Sequence, residues 1–237
     1  MSKKVPQITE QQIQFWIRKE AAQKGVPVPN KKFPIITISR QFGAKGAALA
    51  TELGTQLGFK VWDKDLLELI SKNIGSDKEF IKSLDESRRG LLEDTIFGFI
   101  HHRETNLSYL IFLIKAVRAL EKFGNGIIVG RGANYICQHK DSFHVRVVCP
   151  LKKRIQNYAQ DYQIPKVEAS EIIMKKDTER ENFTKYNFNQ EINNSSDYDL
   201  IINSNTYSIT EMAELVIRGY EIKTGFKIST LKKVGIV

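Results

Sequence analysis

The sequence predicts a three-layer α/β/α fold, in which helices cover both faces of a mostly parallel five-stranded sheet. Short apolar, β-branched runs alternate along the chain with longer stretches of amphipathic or charged helical pattern. Strands that alternate with helices in this way form parallel sheets that are buried on both faces. Polar and glycine-bearing turns follow several of the apolar runs directly. Open parallel sheets bind their ligands at this end of the strands, so these turns are the candidate site.

Residues 1–32 precede the predicted domain as an accessory segment. Thr9 can cap a helix over 12–22 that carries apolar residues on one face at spacings of three and four. Two prolines in the stretch 25–32 then end this helix. We expect the helix to pack on the domain, and a partner-binding arm is the alternative.

The first predicted strand, at 33–39, leads through a glycine-bearing turn into a helix. The turn at 40–46 reads Arg-Gln-Phe-Gly-Ala-Lys-Gly, and the helical pattern after it ends at Gly54 or Gly58. A strand, a glycine turn and a helix in this order form the phosphate-binding unit of α/β proteins. The alternative is a tight structural turn that binds nothing.

The same alternation continues to the end of the chain. Further strands are predicted at 60–63, 126–130, 143–149 and 198–203. Helices are predicted at 64–73, within 107–121, over the charged segment 151–183 and at 209–223. Five strands in one domain match the fold class stated above.

Composition indicates which partners and which compartment to expect. Lysine plus arginine number 36 against 27 aspartates and glutamates, which gives a formal charge of +9 and favours an anionic partner. Cys137 and Cys149 are too few for a disulfide framework and indicate a reducing compartment. No apolar run approaches the roughly 18 residues of a membrane span, and the first residues do not resemble a signal peptide. We therefore expect a cytoplasmic protein with no membrane partner.

Three segments resemble the cytidylate-kinase-like proteins, a branch of the nucleoside-monophosphate kinases. They read ITISRQFGAKGAALATELGTQLGFKVWDKDLL, then IIVGRGANYI, and then HVRVVCPLKKRI through MKKDTERENF to DYDLIINS. They lie in the family's order and cover roughly residues 33–217. The resemblance implies a P-loop NTPase fold with a helical lid, ATP and Mg²⁺ as cofactors, and CMP or dCMP as the phosphoryl acceptor.

The resemblance also implies how the chain is divided. The kinase-like domain is 33–225, and a carboxy-terminal tail follows at 226–237. Within the domain, 75–123 is a helical insertion on the acceptor side and 151–190 is the lid.

The phosphate-binding loop is assigned to the first turn. Backbone N–H groups at a helix N-terminus bind phosphate, and glycines let the phosphate approach the backbone. The predicted loop residues are Ser39, Gly43, Ala44, Gly46, Ala47 and Ala48.

This loop departs from the standard Walker A sequence, in which a lysine contacts the phosphates and the next hydroxyl binds magnesium. When Gly43 is aligned with the central glycine of a cytidylate-kinase loop, Gly46 stands at the lysine position and Ala48 at the hydroxyl position. Lys45 lies one residue early. Arg40 or Lys45 is expected to act as the catalytic cation in its place.

Three residues are assigned to the acceptor by the resemblance. Arg131, between two glycines after a buried strand, would grip the acceptor phosphate with its guanidinium, and Asn134 would contact the base or sugar. Asp63 would orient the acceptor or a magnesium-bound water. The alternatives are an arginine that is salt-bridged to a helix and an aspartate that caps the helix at 64–73.

Arg154, Asp177 and Arg180 match the lid pattern of the family. The two arginines are predicted to act in catalysis, since lid arginines close over the donor phosphates and stabilise the developing charge. Asp177 and Arg180 are three residues apart on a helix, so the alternative is that they pair with each other.

The sequence offers no metal site of its own. His101 and His102 are adjacent and do not face one site on a helix, and the remaining histidines lack partners at ligand spacing.

Three functions remain open at this stage. The first is an active kinase, and the second is a regulatory protein that binds nucleotides after losing turnover. The third is a basic nucleic-acid-binding protein, which the sequence pI of 9.4 motivates. Since no nucleic-acid-binding module or arginine stripe with interleaved aromatics is recognisable, a nucleic acid is an unlikely partner.

Overall fold

A computed structural model describes residues 32–63 and 104–227 of the chain. The predictions for the helices at 12–22 and 64–73, and those for His101 and His102, lie outside the described residues. So do most of the tail and the first part of the predicted insertion at 75–123.

Five parallel strands form one sheet, which confirms the predicted α/β architecture and makes the sheet entirely parallel. The strand order is β2-β3-β1-β4-β5, so β1 is central. The strands are β1 Ile36–Arg40, β2 Lys60–Trp62, β3 Gly126–Val129, β4 Phe143–Val148 and β5 Leu200–Asn203. The chain leaves β1 towards one edge and later returns to build the other edge, which places a crevice at the carboxyl end of β1.

The helices fill the connections between the strands. Their bounds are α1 Gly46–Leu57, α2 Glu104–Phe123, α3 Ala133–Ile136, α4 Leu151–Tyr162, α5 Lys166–Phe188 and α6 Ile209–Thr224. A short 3₁₀ turn at Ser195–Asp197 precedes β5. Within the described residues, no helix is long and apolar enough to cross a bilayer.

Two predicted element boundaries differ from the structure for local reasons. The first strand begins at Ile36 and not at residue 33, because Pro34 has no N–H and the N–H of Phe33 bonds to the Asn125 side chain. The charged segment predicted as one helix is divided at Pro165. Gln163 adopts a left-handed conformation (φ 53°) that ends α4, and Pro165 then caps the start of α5.

Both faces of the sheet are covered by apolar side chains from the helices. On one face, α1 and α6 contribute Leu49, Leu53, Met212 and Val216 to a core that includes the strand residue Ile38. On the opposite face, α2, α3 and α5 form a second core. This is the three-layer α/β/α arrangement that the sequence predicted.

The second face is polar towards the carboxyl ends of β1 and β4. Thr37 and His144 are register partners and share a hydrogen bond of 2.8 Å between Oγ1 and Nδ1. Ser39 and Arg146, the next pair on this face, are joined at 2.8 Å. Helix α5 passes over this polar region, and a cavity remains between them.

Candidate functional site

The loop between β1 and α1 has the backbone of an anion-binding turn. Gly43 (φ 76°) and Lys45 (φ 60°) both lie in the left-handed region. Ala44 is buried in the core between them, while Gly43 and Lys45 are exposed. The left-handed region favours glycine, so Lys45 holds a strained position directly before the first turn of α1.

Backbone N–H groups remain available at this turn. The first N–H groups of a helix have no intrahelical partner. Those of Gly46, Ala47 and Ala48 donate to no backbone carbonyl within the described part of the chain, and neither do those of Gly43 and Lys45. The amides and the positive end of the helix dipole together suit an anion of phosphate size.

Arg40 crosses from this loop to the end of β3. A Cβ added to Gly46 would lie 2.7 Å from Cβ of Arg40, and one added to Gly130 would lie 2.1 Å from its Nη1. The two glycines therefore leave the space that the side chain occupies. Burial and the like charges of Arg180 and Arg131 lower the pKa of Arg40 to about 10, and Asp63 opposes this shift. Arg40 therefore remains a cation at neutral pH, beside two other arginines whose charges are only partly offset by Asp63.

Arg131 projects from a turn of unusual backbone. Gly130, Arg131 and Gly132 have φ values of 77°, 56° and 63°, so three successive residues are left-handed. A Cβ on Gly132 would meet the Phe188 ring at 2.1 Å, which explains why glycine stands there. The Arg131 guanidinium carbon lies 5.2 Å from the centroid of the Phe183 ring, a cation–π contact that fixes its direction.

The predicted lid residues Asp177 and Arg154 are joined to the phosphate loop. Asp177 Oδ1 accepts the backbone N–H of Phe42 at 2.7 Å, and its Oδ2 accepts from Arg154 Nη1 at 2.5 Å. Arg154 is buried and also donates to the carbonyls of Phe42 (3.0 Å) and Cys149 (2.9 Å). The structure thus pairs Asp177 with Arg154, in contrast to the alternative pairing with Arg180.

Arg180 contacts the loop one residue earlier. Its Nη1 donates to the carbonyl of Arg40 at 3.0 Å, and its guanidinium lies 5.2 Å from the Phe42 ring centroid. Burial is the main cause that lowers the pKa of Arg180; Asp177 opposes the shift, while Arg146 adds to it.

A cavity of about 320 Å³ lies between these groups. Three of the predicted site arginines, Arg40, Arg131 and Arg180, line it, and the predicted residues Ser39 and Asn134 line it as well. The sequence prediction therefore selected five residues that the fold brings to one cavity. Lys176 and Glu179 of α5 also line this space.

The other predicted residues lie outside this cavity. Gly43, Ala44, Lys45, Gly46, Ala47 and Ala48 form the loop and the start of α1, next to the cavity. Arg154 of α4 and Asp177 of α5 contact the loop and each other. Asp63 follows β2, and its charge acts on Arg40. The site therefore has two parts, an arginine-lined cavity and an amide-rich turn.

Sequence reasoning missed Arg146. This side chain is only 4% exposed and donates to Ser39 Oγ at 2.8 Å, directly behind the cavity wall. The available signal was a charged residue at the centre of the apolar run Phe-His-Val-Arg-Val-Val of β4. A buried arginine inside a strand requires a specific partner.

No group of three or more histidine, cysteine, aspartate or glutamate side chains suits a metal ion within residues 32–63 and 104–227.

Comparisons with known proteins identify the family of this chain and proteins of similar structure. The model of the cytidylate kinase-like family matches residues 35–206. An uncharacterized protein from Eubacterium ventriosum ATCC 27560 has a similar structure, with a TM-score of 0.60, 16% identity and coverage of 79% of this chain and 98% of its own. No curated protein matches the sequence.

Two structures of kinases are similar at a lower level. Shikimate kinase from Bacteroides thetaiotaomicron gives a TM-score of 0.42 at 14% identity, covering 77% of this chain and 98% of its own. Dephospho-CoA kinase from Campylobacter jejuni gives a TM-score of 0.35 at 11% identity, covering 81% and 98%.

Proposed function

The chain belongs to the cytidylate kinase-like family, and on this premise we propose that it transfers the γ-phosphoryl group of ATP to a nucleoside monophosphate such as CMP or dCMP. The observation that carries the proposal is the cavity in which Arg40, Arg131 and Arg180 converge beside an amide-rich turn. Two adjacent anion sites are what a reaction between two phosphate-bearing molecules needs.

The cavity suits the acceptor. Arg131 and Arg40 would hold the monophosphate, because guanidinium groups bind phosphate oxygens through two parallel hydrogen bonds. Asn134, on the same wall, would contact the sugar or base. A volume of about 320 Å³ lies at the lower end of the range for small-molecule sites.

The turn suits the phosphates of the donor. Its N–H groups at Gly43, Lys45 and Gly46 would bind the donor phosphates, and Lys45 would add a cation from the exposed side. Arg180 would stabilise charge on the transferred group, since it lies between the loop and the cavity. ATP supplies the phosphoryl group, and an oxygen of the acceptor phosphate replaces the bridging oxygen of ADP at the γ-phosphorus.

The residues present fit phosphates better than they fit magnesium. Ala48 stands at the position of the usual hydroxyl ligand and has no side-chain oxygen, and Gly46 stands where the lysine would be. Mg²⁺ would therefore be held by the phosphates of the bound ATP.

A second candidate is nucleotide binding without turnover. The observation that favours it is the Asp177 carboxylate, which already occupies the Phe42 amide of the loop. Together with the missing lysine and hydroxyl, this would leave a protein that senses nucleotides through the lid.

An ADP-release assay with ATP and Mg²⁺, run against a panel of nucleoside monophosphates, distinguishes the two candidates. Release that depends on CMP or dCMP, and that falls at least about a hundredfold in Arg131→Ala, supports the kinase. Arg218→Ala is the matched control, because Arg218 is exposed on α6 and its ion pair among the described residues is with Glu221, three positions on. Nucleotide binding without acceptor-dependent release would favour the second candidate, and an unchanged Arg131→Ala would refute the acceptor site.

A further inference from the structure

A buried arginine that the proposed reaction does not use lies directly behind the cavity. Arg146, on β4, donates from Nη1 to Ser39 Oγ at 2.8 Å and from Nη2 to Asn193 Oδ1 at 2.6 Å. Its guanidinium also lies 5.6 Å from the centroid of the Tyr198 ring. Only 4% of the residue is exposed, so these contacts hold the side chain in one position.

No carboxylate of residues 32–63 and 104–227 contacts this guanidinium. The hydrogen-bond partners of Arg146 are a hydroxyl and a side-chain amide, and within the described residues it forms no ion pair. Glu181 approaches only the far side of Asn193, at 3.3 Å from its Nδ2. Burial of a charge is unfavourable unless a counter-charge is supplied. An anionic ligand in the adjacent cavity would be such a counter-charge.

Ser39 connects Arg146 to the cavity. Its Oγ accepts the arginine N–H, which leaves the hydroxyl hydrogen to donate elsewhere. In the described part of the chain, the Tyr198 hydroxyl also approaches this oxygen, at 3.4 Å, which is longer than an ordinary O–H···O bond. Tyr198 donates its hydrogen to the Ile192 carbonyl at 2.8 Å instead. Ser39 lines the cavity, so its free O–H can donate to a ligand there.

We propose that Arg146 is a positioning residue for the acceptor phosphate, which fixes Ser39 as a hydrogen-bond donor into the cavity and adds positive charge behind it. This inference deepens the proposed function and rests on the acceptor phosphate binding beside Ser39. The charge of Arg146 also acts on Arg180 on the cavity wall, where it lowers the pKa of that guanidinium together with burial. An anion in the cavity would relieve this repulsion.

The test measures binding of inorganic phosphate to the full chain by calorimetry, in the parent and in Arg146→Met, Ser39→Ala, the double variant and Arg131→Ala. We expect Arg146→Met to weaken phosphate binding about tenfold, because the loss of one charge-assisted interaction typically has an effect of about this size. Ser39→Ala should weaken it by a similar factor. The double variant should bind phosphate as tightly as Arg146→Met does, because both substitutions remove the hydrogen bond that Ser39 donates to the phosphate.

Further variants separate positioning from stability. Arg146→Lys keeps the charge and should restore part of the phosphate affinity, whereas Arg218→Met removes an exposed arginine and should change nothing. In the ADP-release assay, Arg146→Met should raise KM for CMP about tenfold and leave KM for ATP unchanged. Thermal unfolding of each variant verifies that it is folded at the assay temperature.

Each outcome has a distinct meaning. Phosphate binding that is equal in Arg146→Met and the parent overturns the inference, and so does a parent that binds no phosphate. An equal loss for CMP and ATP would also overturn it, since it would indicate a general structural role. Phosphate binding that follows the expected pattern without any ADP release would refute the kinase and leave the role of Arg146 intact.

Discussion

The carboxylate of Asp177 accepts the backbone N–H of Phe42 at 2.7 Å, and this bond joins α5 to the loop after β1 across 135 positions of sequence. The same carboxylate accepts a hydrogen bond from Arg154, which also donates to the Phe42 carbonyl. One ion pair thus satisfies both backbone polar groups of Phe42. The loop and the predicted lid are therefore a single hydrogen-bonded unit in this conformation.

Asp177→Asn should destabilise the protein by about 2 kcal/mol, because it leaves the buried Arg154 without its counter-charge. The free energy of unfolding in urea measures this change. Glu191→Gln is the control, since it removes an exposed ion pair with Lys185 and should cost less than about 0.5 kcal/mol. Equal effects of the two substitutions would show that the Asp177–Arg154 pair has no special role.

Lys45→Gly and Lys45→Ala separate backbone strain from charge. Both remove the ammonium group, but only glycine adopts the φ of 60° at this position without strain. Lys45→Gly should therefore be about 1 kcal/mol more stable than Lys45→Ala. If Lys45 contacts the donor, both variants should raise KM for ATP to the same extent. A parent-like KM in both would remove Lys45 from the site.

Gly46→Ala should displace Arg40, because the new Cβ would lie 2.7 Å from the arginine Cβ. Such overpacking costs about 1 to 3 kcal/mol in the free energy of unfolding, and phosphate binding should weaken with it. Ala47→Ser, an exposed change one residue on, is the comparison. If Gly46→Ala binds phosphate as tightly as the parent, the observed position of the Arg40 side chain is not required for phosphate binding.

His144 should make the fold less stable as the pH falls below neutrality. Burial lowers the pKa of His144 below its ordinary value of 6.5; Asp199 and Glu121 oppose this shift, and Lys223 adds to it. The unfolded chain therefore binds a proton more readily than the folded one. This part of the stability is fully present above about pH 6.5 and is lost as the pH falls through the folded-state pKa.

Thermal unfolding between about pH 7.5 and 5.5 measures this loss. His144→Gln should flatten the dependence, while His139→Gln, at a side chain that is 61% exposed, should leave it as in the parent. A slope that His144→Gln does not change would show that other groups cause it.

The order of strands and helices could be predicted from local patterns. Strands in a parallel sheet that is covered on both faces consist of short apolar runs. The run Ile-Thr-Ile-Ser followed by a glycine turn predicts the strand–turn–helix unit that begins with β1. Pairing order could not be predicted, because an apolar run does not specify its neighbours. That β3 lies between β1 and β2 became known only from the sheet.

Part of the site could also be predicted from local patterns. Ser39 and Arg40 end β1, and Arg131 follows β3. Residues at the carboxyl ends of parallel strands meet at one edge of the sheet. Arg180 was predicted through the family resemblance. The partner of Asp177 was not predictable from helical spacing, which brings Arg180 near but cannot reveal Arg154 on another helix.

What the sequence determined by itself is the set of elements and the family, because periodicity, glycine turns and motif order are local properties of the chain. What the tertiary structure alone decided is which charges face one another. Arg146 reaches Ser39 only because β4 pairs with β1 in one register, and that register depends on the packing of the whole sheet.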